Sequence, residues 1–281
     1  MLSVGLAGLS ALLWGSGDYV GGRASRRVDS LAVTLVSQVA IFPLLVLVAF
    51  VVPHTAIHAQ DLAWGVAAGV AGFLGLMLLY RGLAAGSMAI FSPISAVTAA
   101  VVPMVIGLAT ERVPAPLELA GAGCAVVAIA LVSIGPGGRG GDGRWLRLVG
   151  LALASGGLLG LFYALLGQAS GDGGLWPMVA VRIGSMSIGL ALVRRAGLSV
   201  RMNGVTLRLT LLAGLLDISA NALYLFAVTG GPMSVIAPVA ALYPASTVLL
   251  AVAVDGERVR PIQIAGLGLA ATALVLAAAP T

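Results

Sequence analysis

The 281-residue chain has no lysine, two histidines, one cysteine and ten acidic residues, and only 9% of its residues are charged. A soluble domain carries roughly a quarter charged residues, so so little charge argues against a water-solvated surface. The lone Cys124, in an apolar run, excludes an internal disulfide and a cysteine-ligated metal. His54 and His58 in HTAIH have the i,i+4 spacing of a metal pair, with Asp61 nearby. They fall in a short polar stretch with no third strong ligand assured, and a solvated loop is the expectation there. No histidine lies in any apolar run, so a base or metal constellation has nowhere to form inside the membrane. The glycine-rich GPGGRGGDG lacks GK[ST] and a preceding strand, so it is a flexible linker and not a phosphate loop. No motif calls for a cofactor.

What is there is hydrophobic. Sixty per cent of residues are hydrophobic and the mean hydropathy is +1.10, which makes lipid the expected solvent. About ten apolar spans follow, near 2–22, 30–52, 62–83, 87–109, 116–135, 147–169, 176–194, 206–229, 232–254 and 261–279. Each is close to the roughly 20 residues that cross a bilayer core as a helix. The expected fold is therefore an all-α integral membrane protein of ten transmembrane helices. The first span lacks a basic n-region and has an internal equivalent, so it is read as a helix and not as a cleaved signal. Pro43, Pro93, Pro103, Pro238 and Pro244 lie inside spans, where neighbouring helices or a wet cavity must serve the freed backbone groups. The fifteen arginines are scattered between apolar runs and form no groove-sized basic patch, so no nucleic-acid partner is expected.

The chain is written twice. At an offset of 145 residues Gly86 matches Gly231, Met88 Met233, Pro93 Pro238, Pro116 Pro261, Gly121 Gly266 and Gly123 Gly268. An ERV triplet recurs as well, at Glu111–Val113 and Glu257–Val259. Repeats at this scale mark duplicated structural units. The expected organisation is a first five-helix repeat over 1–136, a cytoplasmic linker over 137–146 and a second repeat over 147–281. Five is odd, so the second repeat must sit upside down relative to the first. The arginines agree: RASRR follows the first helix of half one, and RRAGLSVR follows the second helix of half two. Thirteen of fifteen arginines fall in loops of one face, which the positive-inside rule makes cytoplasmic, with both termini outside.

These residues resemble the drug/metabolite transporter superfamily, in its ten-helix EamA-type branch. The resemblance is carried by Trp14-Gly15 in the first helix, by the Pro-containing fourth and ninth helices and by Glu-Arg-Val leading into a Gly-rich fifth and tenth helix. It implies a substrate cavity between the halves, lined mainly by helices 1–4 and 6–9, in a cell-membrane protein. It implies transport of amino acids, metabolites, sugars or toxic cations. Many relatives carry an arginine in both the second and seventh helices, whereas here Arg182 is matched by Ser37.

Intramembrane charges are costly unless paired or hydrated, so they head the candidate substrate-binding residues. Asp217, Asn221 and Tyr224 lie at i, i+4 and i+7 and share one helical face, while the matching positions in half one are Gly72, Leu76 and Leu79. Arg182 is placed to reach inward to Asp217 or to snorkel outward. Asp18, in WGSGDYVGG, is placed either to join the cavity or to pair with Arg23 or Arg26. Trp14 is placed to cap the cavity and Tyr243 to line it. Ser92, Ser95, Thr98, Ser234, Ser246 and Thr247 are read as packing glue. The function expected is secondary transport, as an exporter working by alternating access, of a small metabolite, amino acid-like compound or drug. The partners are then a small-molecule substrate, the lipid bilayer and a proton as candidate coupling ion, with the chain a monomer or homodimer. The competing class is a membrane-embedded enzyme acting on lipid or another hydrophobic substrate.

Overall fold

The structure is a computed structural model that describes residues 2–84, 88–110, 116–132, 144–255 and 260–277. The two ERV triplets and most of the 137–146 linker lie outside the described residues, as do the side chains of Ser92, Pro93 and Thr247. The first half runs α1 (Leu2–Ser25), α2 (Ser30–Val51), α3 (Ala59–Ala84), α4 (Met88–Thr110) and α5 (Pro116–Val132). The second runs α6 (Arg144–Leu166), α7 (Trp176–Ala196), α8 (Gly204–Thr229), α9 (Met233–Ala240), α10 (Tyr243–Asp255) and α11 (Pro261–Ala277). No strand occurs among the described residues.

Local chemistry sets the helix ends. Asp29 Oδ1 accepts from the Leu31 N–H at 2.8 Å and Asn203 Oδ1 from the Thr206 N–H at 2.8 Å, which caps α2 and α8. Gly197 ends α7 in the left-handed region at φ 63°. Pro116 and Pro261 open α5 and α11, where a missing N–H costs nothing. The ninth span differs from a single rod: it is broken between α9 and α10 at Ala241–Leu242, between Pro238 and Pro244. Pro244 cannot donate back to the preceding turn, so the helix stops and restarts. The matching helix α4 has Ala99 at the place of Pro244, and it is continuous. α2 also runs unbroken through Pro43.

The surface is apolar, with Leu2, Leu47, Phe50, Val51 and Val275 all largely exposed. That is the surface of a chain dissolved in lipid. Among the described residues, five helices are by themselves long and apolar enough to cross a membrane. The ten spans form two inverted five-helix repeats, and their packing interlocks the halves. The most extensive contacts join α1 to α8, α5 to α11, α4 to α6 and α3 to both α6 and α7. Each of these pairs takes one helix from either half. α5 and α11 pair with each other, and among the described residues neither contributes to the central cavity.

Small residues make the crossings close. A β-carbon on Gly69 of α3 would run into the Val181 carbonyl of α7, and one on Gly214 of α8 would run into the Ser37 carbonyl of α2. These glycines occupy matching positions in the two repeats. Backbone approach of this kind is how helices associate where lipid supplies no hydrophobic drive. Ser95 and Ser246 act as the glue expected of them. Ser95 Oγ donates to Ser155 Oγ at 3.2 Å, and Ser246 Oγ donates to the Ala11 carbonyl at 3.0 Å.

Candidate functional site

A cavity of about 550 Å³, its mouth included, lies between the two halves. Its polar wall is Asp18 of α1, Gln38 of α2, Arg182 and Ser185 of α7, and Asp217 and Asn221 of α8. Its apolar wall includes Phe73, Leu76 and Leu79 of α3 and Phe162 of α6. Gly72, Leu76 and Leu79, the counterparts of Asp217, Asn221 and Tyr224, thus face the same space from the other repeat. The lopsided polarity read from the two halves is a property of one shared cavity.

Arg182 does not snorkel. It is 4% exposed, and its Nη2 donates to Asp217 Oδ2. α7 and α8 hold the two side chains within their apolar spans, where a paired charge is tolerated and a lone one is not. Asn221, one turn on from Asp217, donates from Nδ2 to the Asp217 carbonyl at 2.7 Å. Ser185 turns its hydroxyl onto the Val181 carbonyl at 2.7 Å, the usual resting place for a serine in a membrane helix.

Asp18 lines the cavity instead of pairing at the helix end. Arg23 donates to Tyr19 Oη at 3.1 Å and sits 5.7 Å from the centre of its ring. None of the ion pairs or hydrogen bonds among the described residues ends on Asp18.

Aromatic rings close the arginine-poor side. The centroid of Trp14 lies 5.1 Å from Tyr163 and 5.6 Å from Tyr224, and Tyr163 and Tyr224 are 5.3 Å apart. Tyr224 is fully buried behind Trp14, donates to the Tyr163 carbonyl at 3.2 Å and contributes nothing to the cavity wall. Tyr243, the first residue of α10 after the break, does line it.

Beyond the rings, the loop after α2 meets the turn after α6. The Thr55 N–H donates to the Asp172 carbonyl at 2.9 Å, and His58 Nε2 stands 3.5 Å from Asp172 Oδ2. Asp61, 5% exposed, accepts from the Ser170 N–H at 3.1 Å and also from its hydroxyl. His58 and Asp61 therefore serve a clasp between the halves. The pseudo-equivalent positions at the other face are Ser25 and Thr206, and both hydroxyls are buried without a partner among the described residues. One end of the molecule is latched by a carboxylate and its counterpart is not.

Gln38 and Tyr163 were missed by the sequence reading. Gln38 is a polar amide in the apolar span 30–52, one residue after Ser37, and that was the available signal. Tyr163 occupies the position in repeat two that Asp18 holds in repeat one, so the offset itself pointed to it. Among the described residues α4 adds nothing to the wall.

Comparison with known proteins places this arrangement. The EamA-like transporter family matches residues 1–134 and 146–279, nearly the whole chain in two copies. The chain belongs to the EamA-like transporter family. As an EamA-like protein it is a multi-pass membrane protein of a family that transports small substrates. No curated protein matches it. Among solved structures, one titled "Crystal structure of protein" is similar with a TM-score of 0.77 at 14% identity, covering 98% of this chain and 96% of that one. At that identity the likeness is one of fold alone.

Proposed function

We propose that the chain is a secondary transporter that exports a small organic solute by alternating access, with the proton as coupling ion. The observation that carries this is the cavity between two inverted halves, with Arg182 and Asp217 in its wall. Inverted repeats, related by a pseudo-two-fold axis in the membrane plane, permit two corresponding packings, one open to each side. The α3–α7 crossing on the arginine-poor side is more extensive than its counterpart α2–α8. Together with the Asp61–Ser170 latch, this supports a conformation closed on the arginine-poor face and loading from the arginine-rich one. By the positive-inside rule that loading face is cytoplasmic, the direction an exporter needs. Two cavity carboxylates, Asp18 and Asp217, are the candidates to exchange a proton between the two facing states.

The test is transport in proteoliposomes. Solutes that raise the melting temperature of the purified chain are loaded on one side, and exchange is followed with and without a pH gradient. Saturable exchange that accelerates under the gradient is expected. Binding without any exchange would remove the transport reading, and exchange indifferent to the gradient would remove the proton.

A further inference from the structure

Three polar atoms of residues in the cavity wall have no hydrogen-bond partner among the described residues: Gln38 Oε1, Asn221 Oδ1 and Arg182 Nε. Their residues are 5%, 3% and 4% exposed, so bulk water does not serve them. A buried polar atom left unmet is costly, and a ligand that meets it recovers that cost on binding. The orientation of Asn221 is set by its Nδ2 bond to the Asp217 carbonyl, which leaves the side-chain oxygen over as a free acceptor. Asp18 brings a carboxyl group, a third acceptor, to the same wall.

The charges do not balance. Among the described residues two carboxyl groups and one guanidinium line the cavity, and the guanidinium is engaged with Asp217. Asp18 is the uncompensated one. The rings of Trp14, Tyr163 and Tyr243 share the wall with it, and aromatic faces attract cations.

We infer, on the transport reading given above, that this cavity takes a primary amine in its ammonium form, carrying an apolar body and no carboxylate. The ammonium N–H groups meet Asp18, Gln38 and Asn221 together. A quaternary ammonium supplies the charge but leaves both amide oxygens unmet. A neutral alcohol supplies one donor and no charge. An amino acid zwitterion brings a third carboxyl group to a wall that already sets Asp18 and Asp217 against the one guanidinium of Arg182. The apolar body lies against Phe73, Leu76 and Leu79. Arg182 Nε remains for a neutral acceptor on that body, such as a hydroxyl or ether oxygen.

The experiment is calorimetric titration of the purified full-length chain in detergent with two matched sets. One set is phenethylamine, its N-trimethylated form, 2-phenylethanol and phenylalanine. The other is pentylamine, its N-trimethylated form, pentanol and norleucine. In at least one set the amine is expected to bind saturably, about tenfold or more tighter than its three partners, from charge-assisted hydrogen bonds to the ammonium. Asp18→Asn is expected to lower that affinity by about tenfold or more on the same ground. Asn221→Leu and Gln38→Leu are expected to weaken the amine while leaving the trimethylated form unchanged. The comparison among ligands needs no variant, so it decides even where a substitution disturbs folding. The inference is overturned if neither amine binds, if the amino acid or alcohol binds as tightly as the amine, or if folded Asp18→Asn binds normally. Amine binding with no exchange in proteoliposomes would remove the transport reading and leave the amine site standing. Exchange of a carboxylate-bearing solute by a chain that binds no amine would do the reverse.

Discussion

Arg182 reaches from α7 to Asp217 on α8 and donates to Oδ2, although Asp217 is 28% exposed at its side chain and Arg182 only 4%. The arginine is the deeply buried partner, so it depends on the pair more than the aspartate does. Asp217→Asn strands the guanidinium in a dry setting, which costs about 3–5 kcal/mol for a broken buried pair. Arg182→Gln with Asp217→Asn removes both charges, and it is expected to unfold at a higher temperature than Asp217→Asn alone. Thermal unfolding in detergent measures both. A double variant no more stable than the single one would falsify the coupling.

Arg182→Lys separates charge from shape. The ammonium keeps the pair with Asp217 but loses the planar fork and its second, unmet donor at Nε. Weakened ligand affinity with a melting temperature close to that of the unaltered chain is expected. Unaltered affinity would mean that Arg182 contributes charge alone.

The latch at the arginine-poor face is open to a direct trial. Asp61→Ala removes two hydrogen bonds to Ser170, and leaving the Ser170 donors unmet costs about 1–3 kcal/mol in the closed state. Ser185→Cys in a Cys124→Ala background reports on the cavity, since Ser185 lines it. An impermeant maleimide added on the arginine-poor side is expected to label this cysteine about tenfold faster when Asp61 is absent, the shift that roughly 1.4 kcal/mol produces. An unchanged rate would mean that these bonds do not hold the face closed.

Two glycines in the same protein are expected to answer alanine with opposite signs. A β-carbon on Gly69 overlaps the Val181 carbonyl, whereas one on Gly157 meets nothing within 4 Å. Gly69→Ala is therefore expected to lower the melting temperature by forcing α3 and α7 apart. Gly157→Ala is expected to raise it modestly, since alanine is favoured in a helix by about 0.5–1 kcal/mol. Equal effects at the two sites would show that the α3–α7 crossing is not packed on Gly69.

Sidedness has its own check. Single cysteines at Arg26 and Gly171, exposed and equivalent positions of the two repeats, are expected to label from opposite faces of the membrane in a Cys124-free background. Labelling from the same face would contradict the inverted arrangement, whatever its absolute orientation.

The fold was legible because its causes are local. Hydropathy and span length announce the helices, and the 145-residue offset with the shifted arginine loops announces a duplicated, inverted unit. The stripe of Asp217, Asn221 and Tyr224 was visible for the same reason, because helical period alone puts the three on one face. The tertiary structure then split that stripe. Asp217 and Asn221 line the cavity, while Tyr224 is sealed behind Trp14 and Tyr163.

Pairing between distant segments was not legible, because no local pattern encodes it. Nothing in WGSGDYVGG chooses between Asp18 meeting Arg23 and Asp18 facing a cavity. The packing of α1 against α8, with Arg23 taken up by Tyr19, made that choice. Asp61 and Ser170 lie 109 residues apart, and only the meeting of the halves joins them into a latch. The sequence by itself determined ten membrane helices, their inverted duplication and which positions are polar. The tertiary structure decided which of those polar groups are partnered across the halves and which have no partner among the described residues, because partnering depends on the approach of helices from opposite repeats.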